Sequence, residues 1–398
     1  MNRTFDVIVV GGGIIGSAVT YYLSKEGFQV GLLDRGDLAS GTSSACDGNV
    51  LAIDKMPGFD SQLTYKSQQL LSGLQDELGY DFEYRQPGST LAVEDEDQDV
   101  AAREWTRRQA EAGLPVRYIE GAEVHEDEPM IAPDIVGLVE CKSDSSLYPM
   151  GLVFGFTLAA KNLGARICQF TEVQSILKGS SGELKGVDTT DGQYYAPRVV
   201  ICAGVWTPAV AAMAGVCVPI TPRKGHILVT ESTFRIGRRK VMEFGYLMAK
   251  FGGQKRRVEP DMEKYGVALV FEPTMQGNYL MGSSREFVGF DTTCDARVMT
   301  LIARRSVRFY PVMKDLRVIR SYAGLRPFTP DHLPIISEVS SVKGLYIAAG
   351  HEGDGIGLGP ITGKIVSEML AGKDTSVDMA PLSLDRFDSA GGQSSQGL

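Results

Sequence analysis

Nothing in this 398-residue sequence approaches the roughly 18 consecutive apolar residues that a membrane-spanning helix needs. Its six cysteines (Cys46, Cys141, Cys168, Cys202, Cys217 and Cys294) form no Cys-x-x-Cys pair and have no histidine at ligand spacing, so no metal or cluster site is expected within the chain. Positive charge is in deficit: a net charge of −9 leaves no surplus to neutralise phosphates and argues against a nucleic-acid binder. No basic leader with an apolar core precedes the first strand, which makes the cytoplasm the expected compartment. The basic clusters that do occur, Arg235, Arg238, Arg239 and Lys240 and then Lys255, Arg256 and Arg257, read as a solvated face, with a subunit interface as the alternative.

What is present begins with a β-α-β unit. "FDVIVV" is an apolar, β-branched run that stops at glycines, "IIGSAVTYYLSKEG" repeats apolar residues at helical spacing, and "QVGLLD" is a second buried strand, so a parallel sheet is expected. From residue 61 to 145 the pattern turns helical and charged, including the acidic helix start of "EDEDQDVAAREWTRRQAEAG". Buried-strand character returns in "PRVVICAG", preceded by a short strand and a hairpin that should rejoin the first sheet. Between 219 and 325, alternating stretches and the turn "QGN" predict an antiparallel sheet, broken by one helix from Val298 to Tyr310. A polar tail, 388–398, is expected to be disordered. The alternation fits two discontinuous domains: 1–80, 146–218 and 320–387 in one, 81–145 and 219–319 in the other.

In "VVGGGIIGSA", Gly11, Gly13 and Gly16 fit G-x-G-x-x-G between strand and helix. The first glycine permits the turn, the second lets backbone approach a pyrophosphate, and the third lets helix and strand pack closely. Asp34 closes the second strand at the place of a carboxylate that bonds a ribose hydroxyl. Dinucleotide binding follows, although this fingerprint does not separate FAD from NAD. "RGDLASGTSSACDGNV", rich in small and hydroxylated residues, and the strand end Ala203, Gly204 and Trp206 would let a cofactor pass close by. A second glycine-rich stretch, "GHEGDGIGLGP", lies between an apparent strand and a helix whose first turn would hold Pro360; it is no P-loop, and a plain NAD dehydrogenase would not explain it.

Taken in order, "GGGIIG", "ASGTSS", "VVICAGVW", "ITPRKGHIL", "GLRPFTPDHLPII" and "GHEGDGIGLGP" resemble the D-amino-acid oxidase-like, or glycine/sarcosine oxidase-like, FAD superfamily from end to end. Within it, "FEPTMQGNYLMGSSREFVGFD" and the C-terminal wording are most similar to the FAD-carrying β subunits of opine oxidase, hydroxyproline or proline dehydrogenase and hydrogen cyanide synthase. The resemblance implies an α/β FAD-binding Rossmann-like domain plus an α+β substrate domain with a mostly antiparallel sheet.

It also implies roles, residue by residue. Gly11, Gly13 and Gly16, with Ile14 and Ile15 between them, would hold the pyrophosphate; Asp34, followed by Arg35, the adenosine ribose; Ser40, Gly41, Thr42 and Ser43 the phosphate and flavin side. Val173 would meet the adenine through its backbone, Ala203, Gly204 and Trp206 would flank the cofactor, and Gly353, Asp354, Gly355, Ile356 and Gly357 would lie against the flavin. Arg326 in "GLRPFTPD" would clamp a substrate carboxylate, with an arginine bonded to loop carbonyls as the plain alternative. Tyr246 could place a hydroxyl over the ring or be a core tyrosine, while Arg285 and His226 sit in strands near the site with a structural role at least as well supported. Glu352 is expected to face away from the ring towards a cation, such as a substrate guanidinium or a partner-chain residue.

The reaction implied is hydride transfer from an amine-bearing carbon to flavin N5, then hydrolysis of the imine, so no catalytic triad, carboxylate pair or metal is required. The expected substrate is an N-substituted or D-configured amino acid of the opine, hydroxyproline or proline type. Electrons would leave through partner subunits, a second nucleotide- or flavin-binding subunit with FMN and a ferredoxin-like subunit with an iron–sulfur cluster, which would also allow attachment at the periphery of the inner membrane. Two alternatives stay open: a self-contained glycine or sarcosine oxidase that uses oxygen, and a non-catalytic subunit that keeps the fold for assembly.

Overall fold

The computed structural model describes residues 3–252 and 256–390, and in it the chain builds two large sheets. The first has six strands in the order Ile335–Glu338, Leu345–Ala349, Val199–Ile201, Val7–Val10, Val30–Leu33 and Arg166–Cys168. All pairs are parallel except the edge pair Ile335–Glu338 with Leu345–Ala349. The central strands are buried at every position, as continuous Val/Ile/Leu runs covered on both faces must be. Helices Ile14–Lys25, Pro149–Asn162 and Gly355–Leu370 cover one face.

The second sheet has eight strands: Val318–Phe328, Thr221–Thr230, Tyr279–Gly282, Val270–Pro273, Lys240–Glu243, Ser89–Val93, Gly137–Cys141 and Val116–Glu120. It is antiparallel throughout, save for Lys240–Glu243 with Ser89–Val93. The hairpin predicted at "QGN" joins Val270–Pro273 to Tyr279–Gly282 and turns at Gly277, φ 82°. Val318–Phe328, expected from residue 320 onward with the nucleotide-binding part, pairs along its length with Thr221–Thr230.

Four expectations change. Only Arg166–Cys168 of the short strands before "PRVVICAG" joins the first sheet; Val173–Lys178, Leu184–Thr189 and Gly192–Tyr195 form a separate three-stranded sheet whose apolar face closes the other side of the core. The charged segment 61–145 contains three strands, Ser89–Val93, Val116–Glu120 and Gly137–Cys141, too short to stand out among its helices. The basic clusters are not wholly solvated. Arg239 is buried against Asp127 and Glu140, and Arg256 against Glu243, because buried guanidinium groups persist only when paired; Lys255 lies outside the described residues. Residues 384–390 of the C-terminal segment form 3-10 helix, and 391–398 lie outside the described residues.

Pro360 sits not in the first turn but inside the helix, which begins at Gly355. A proline there removes one intrahelical donor, and a break of this kind is bridged by an inserted group. Ser67, on helix Phe59–Leu78, supplies it: its hydroxyl donates to the Gly357 carbonyl at 2.5 Å and accepts from the Ile361 N–H at 3.3 Å. Ser67→Ala would leave two buried backbone groups without partners. It is expected to cost about 1–3 kcal/mol, read as a lowered midpoint in urea with an unchanged slope.

Candidate active site

A single long cavity runs from the C-terminal ends of the parallel strands to the face of the antiparallel sheet. In open α/β sheets this is where ligands bind, because loops diverge there and helix N-termini point into the space. The first turn is set by close packing. Gly11 has φ 112°, and a Cβ on it would stand 2.5 Å from the Cys202 carbonyl oxygen. A Cβ on Gly16 would overlap the Gly11 carbonyl oxygen. Gly16 therefore lies behind the cavity rather than on it, and holds helix against strand.

Gly11, Gly13, Ile14 and Ile15 line the wall beside that helix start. Asp34 and Arg35 follow at the end of Val30–Leu33; the Asp34 carboxylate accepts from Gly12 N at 2.5 Å and Gly36 N at 2.7 Å, which ties the acid to the glycine turn. Ser40, Gly41, Thr42 and Ser43 continue the wall, with the Ser43 hydroxyl accepting from Ile14 N at 3.0 Å and Thr42 donating to the Leu325 carbonyl at 2.6 Å. Val173 lines one end, and Ala203, Gly204 and Trp206 the opposite wall, where the Arg35 guanidinium lies 4.3 Å above the Trp206 ring. A bare turn, a carboxylate beyond it and hydroxyls opposite a helix N-terminus fit a dinucleotide.

At the far end, Glu352, Gly353, Asp354, Gly355 and Ile356 line the cavity as the entry to helix Gly355–Leu370, whose first N–H groups give this wall a positive dipole. Gly357 does not line it; it packs on Val50, where an added Cβ would stand 3.1 Å from the side chain. His351 is buried with Nε2 3.0 Å from the Thr362 hydroxyl, and burial pushes it down to about 3, so it is neutral. Asp354 meets the buried ammonium of Lys55 at 2.8 Å.

Glu352 does meet a cation, and it belongs to the chain itself: Arg223 Nη2 lies at 2.9 Å, with His332 Nδ1 also at 2.9 Å. Burial raises its pKa, but the His332 hydrogen bond and the Arg223 charge outweigh burial and bring it down to about 2. A carboxyl depressed in the fold stabilises above its unfolded value and loses that contribution as pH falls through the folded one. The wild type should therefore lose stability between pH 4.5 and about 2 more steeply than Glu352→Gln, measured by urea titrations across that window.

Arg326 stands directly opposite Arg223 in the antiparallel ladder. Like charges in facing positions repel, and of the two only Arg223 is paired with a carboxylate among the described residues. The Arg326 guanidinium lies flat against Gly225, donating to the Ser284 carbonyl at 3.0 Å and to the Ser283 hydroxyl. His226 is structural. Fully buried and held neutral chiefly by burial, it bonds the Ser284 hydroxyl at 2.8 Å through Nδ1 and accepts from Asp295 N at 3.1 Å through Nε2. It thereby fixes the loop that orients Arg326. Tyr246 does not line the cavity; it packs in the core beside Phe244 and Leu247, and Arg285 stands 3.6 Å over its ring.

Sequence reasoning passed over Arg223, Lys240 and Lys250, which line this end. Strand alternation carried a usable signal for the first, since Arg223, Gly225 and Ile227 share a face. Lys250 is brought in by a helix from a distant segment, and no local pattern announces that.

A family model described as "FAD dependent oxidoreductase" matches residues 6–369. The chain is 29% identical over 394 residues to the glycine oxidase of Geobacillus kaustophilus, covering 97% of this chain and 98% of that one. It is 25% identical over 429 residues to hydrogen cyanide synthase subunit HcnC of Pseudomonas aeruginosa, covering 97% of each. The crystal structure of the Geobacillus glycine oxidase superposes with a TM-score of 0.85 at 27% identity over 97% of this chain and 99% of that one. That of L-proline dehydrogenase from P. horikoshii gives 0.88 at 23%, over 98% and 99%, a likeness of fold. The fingerprint at Gly11, the second glycine-rich element at Gly353 and a match over nearly the whole length have one explanation: the chain belongs to the family of FAD-dependent oxidoreductases.

Proposed function

We propose that this protein oxidises the carbon–nitrogen bond of an N-substituted or D-configured amino acid of the opine, hydroxyproline or proline type. The observation that carries this reading is Arg326, a cavity-lining guanidinium with no carboxylate partner among the described residues, facing a second arginine whose carboxylate is already taken. A planar, always-charged fork of this kind is suited to a substrate carboxylate. FAD, when bound, supplies the hydride acceptor at N5. The chain's own residues do the rest. Gly11, Gly13 and the start of Ile14–Lys25 would hold the pyrophosphate and Asp34 the ribose, the N-terminus of Gly355–Leu370 would offset negative charge on the ring, and Ile227, Met242 and Val270 would keep water from the reacting carbon.

The protein acts in this reading as the catalytic subunit of a multi-subunit dehydrogenase, with partner subunits that carry FMN or an iron–sulfur cluster; the likeness to a cyanide synthase subunit supports it. The likeness to glycine oxidases favours a second reading, a self-contained oxidase that passes electrons to oxygen. The test is anaerobic bleaching of the flavin absorbance with opines, D- and L-proline, hydroxyprolines, sarcosine and glycine. Reduction by none of them would sink the substrate class. Hydrogen peroxide release by the single chain in air would favour the oxidase, and turnover only with a dye acceptor the dehydrogenase.

A further inference from the structure

The substrate end of the cavity holds a second arginine without a carboxylate partner among the described residues. Besides Arg326, the Arg285 guanidinium lines it, and among the described residues it has no carboxylate within 4.0 Å. Its Nε is buried without a hydrogen-bond partner, and its Cζ stands 3.6 Å over the Tyr246 ring. Burial, and then the charges of Arg223 and Arg326, push it down to about 10. Lys250, on the helix that carries Tyr246, lies 4.7 Å from the Phe251 ring and feels the charges of Asp54 and Glu352. Glu352, whose charge reaches both Arg285 and Arg326, is already held by Arg223 and His332. A cation enclosed without a counter-ion destabilises the free protein and persists where a ligand supplies the missing charge.

We propose that Arg285 receives a second carboxylate, so that the substrate is a secondary amine flanked by two carboxylates, an N-(carboxyalkyl) amino acid. This rests on the reading of Arg326 as the anchor of the first carboxylate. The amine joins two carboxylate-bearing carbons. The C–H bond of the carbon anchored by Arg326 breaks with its electron pair passing to FAD as hydride, the nitrogen loses a proton, and a C=N bond forms. Water then adds, giving a 2-oxo acid from that carbon and a primary amino acid from the other. Arg285 touches only the carboxylate of the part released as amine, so it selects and orients the substrate without taking part in bond breaking. Monocarboxylic secondary amines such as sarcosine and proline leave Arg285 unmatched.

The test uses FAD-loaded protein, titrated calorimetrically with two ligands in which sulfur replaces the amine nitrogen: thiodiacetate, with two carboxylates, and (methylthio)acetate, with one. Thiodiacetate is expected to bind about tenfold or more tightly to the wild type. Arg285→Gln should remove that preference while leaving (methylthio)acetate unchanged, and Arg285→Lys should restore part of it. Equal affinities in the wild type, a comparison that requires no variant to fold, would overturn the proposal. So would an Arg285→Gln variant that weakens both ligands alike, the mark of one carboxylate shared by both arginines. Should Arg326→Gln leave (methylthio)acetate binding unaltered, the reading of Arg326 fails separately, and the proposal, having lost its first anchor, falls with it.

Discussion

Arg326→Gln is expected to lower kcat/KM by about 10²- to 10³-fold, a loss of about 3–4 kcal/mol of transition-state stabilisation. The same change should leave the folded protein as stable as before, or more stable. Burial, and then the Arg223 charge opposite, lower the pKa of Arg326, which means that the charged form is disfavoured in the free protein. Glutamine keeps an amide to bond Ser283 and Ser284 but ends the repulsion. A variant that loses activity while its urea midpoint holds or rises would place Arg326 among residues kept for function at the expense of stability. If Arg326 served only to bond the loop carbonyl, stability would fall with activity. Arg326→Lys sharpens the result, because a lysine retains the charge without the fork and should recover only part of kcat/KM.

Gly16→Ala is expected to be severely damaging for a single added methyl. The added carbon would overlap the Gly11 carbonyl oxygen and stand 3.0 Å from its carbon, both backbone atoms of the turn itself, so no flexible side chain can move aside. The helix must shift from the first strand, at a cost of about 3 kcal/mol or more, and the turn loses the shape that a pyrophosphate requires. The measurement is flavin content at purification together with thermal unfolding, and a yellow, fully loaded protein of normal stability would refute the packing argument. Gly73→Ala is the control: that position lies on helix Phe59–Leu78 with nothing within 4 Å, and alanine there should stabilise by up to about 1 kcal/mol.

Much of the fold was legible because its signals are local. The strand–glycine–helix–strand beginning, the Asp34 position and the hairpin at Gly277 each follow from residues within a few turns of one another. The short strands Ser89–Val93 and Gly137–Cys141 were not legible, since their all-buried runs acquire meaning only in the sheet: the first pairs with Lys240–Glu243, far away in sequence, and the second with the first, more than 40 residues earlier. At the site, the glycines of "GHEGDGIGLGP" were legible as a strand–loop–helix and a cation beside Glu352 was expected, whereas which groups meet the two acids was not legible. Arg223, His332 and Lys55 come from three separate segments, and only the folded chain brings them to Glu352 and Asp354. Pro360 misled for a related reason: the helix starts earlier than a proline rule allows because Ser67, from another helix, bridges the break.

The strand order of the six-stranded sheet also governs when this molecule can come into being during synthesis. Val7–Val10 is made long before Val199–Ile201, its neighbour on one side, and that strand in turn awaits Leu345–Ala349. The cavity is walled by Gly11 near one terminus and Gly355 near the other. A nascent chain therefore carries its glycine turn and Asp34 for most of translation without the wall that encloses them, and the apolar faces of its early strands must be shielded until the last helix docks.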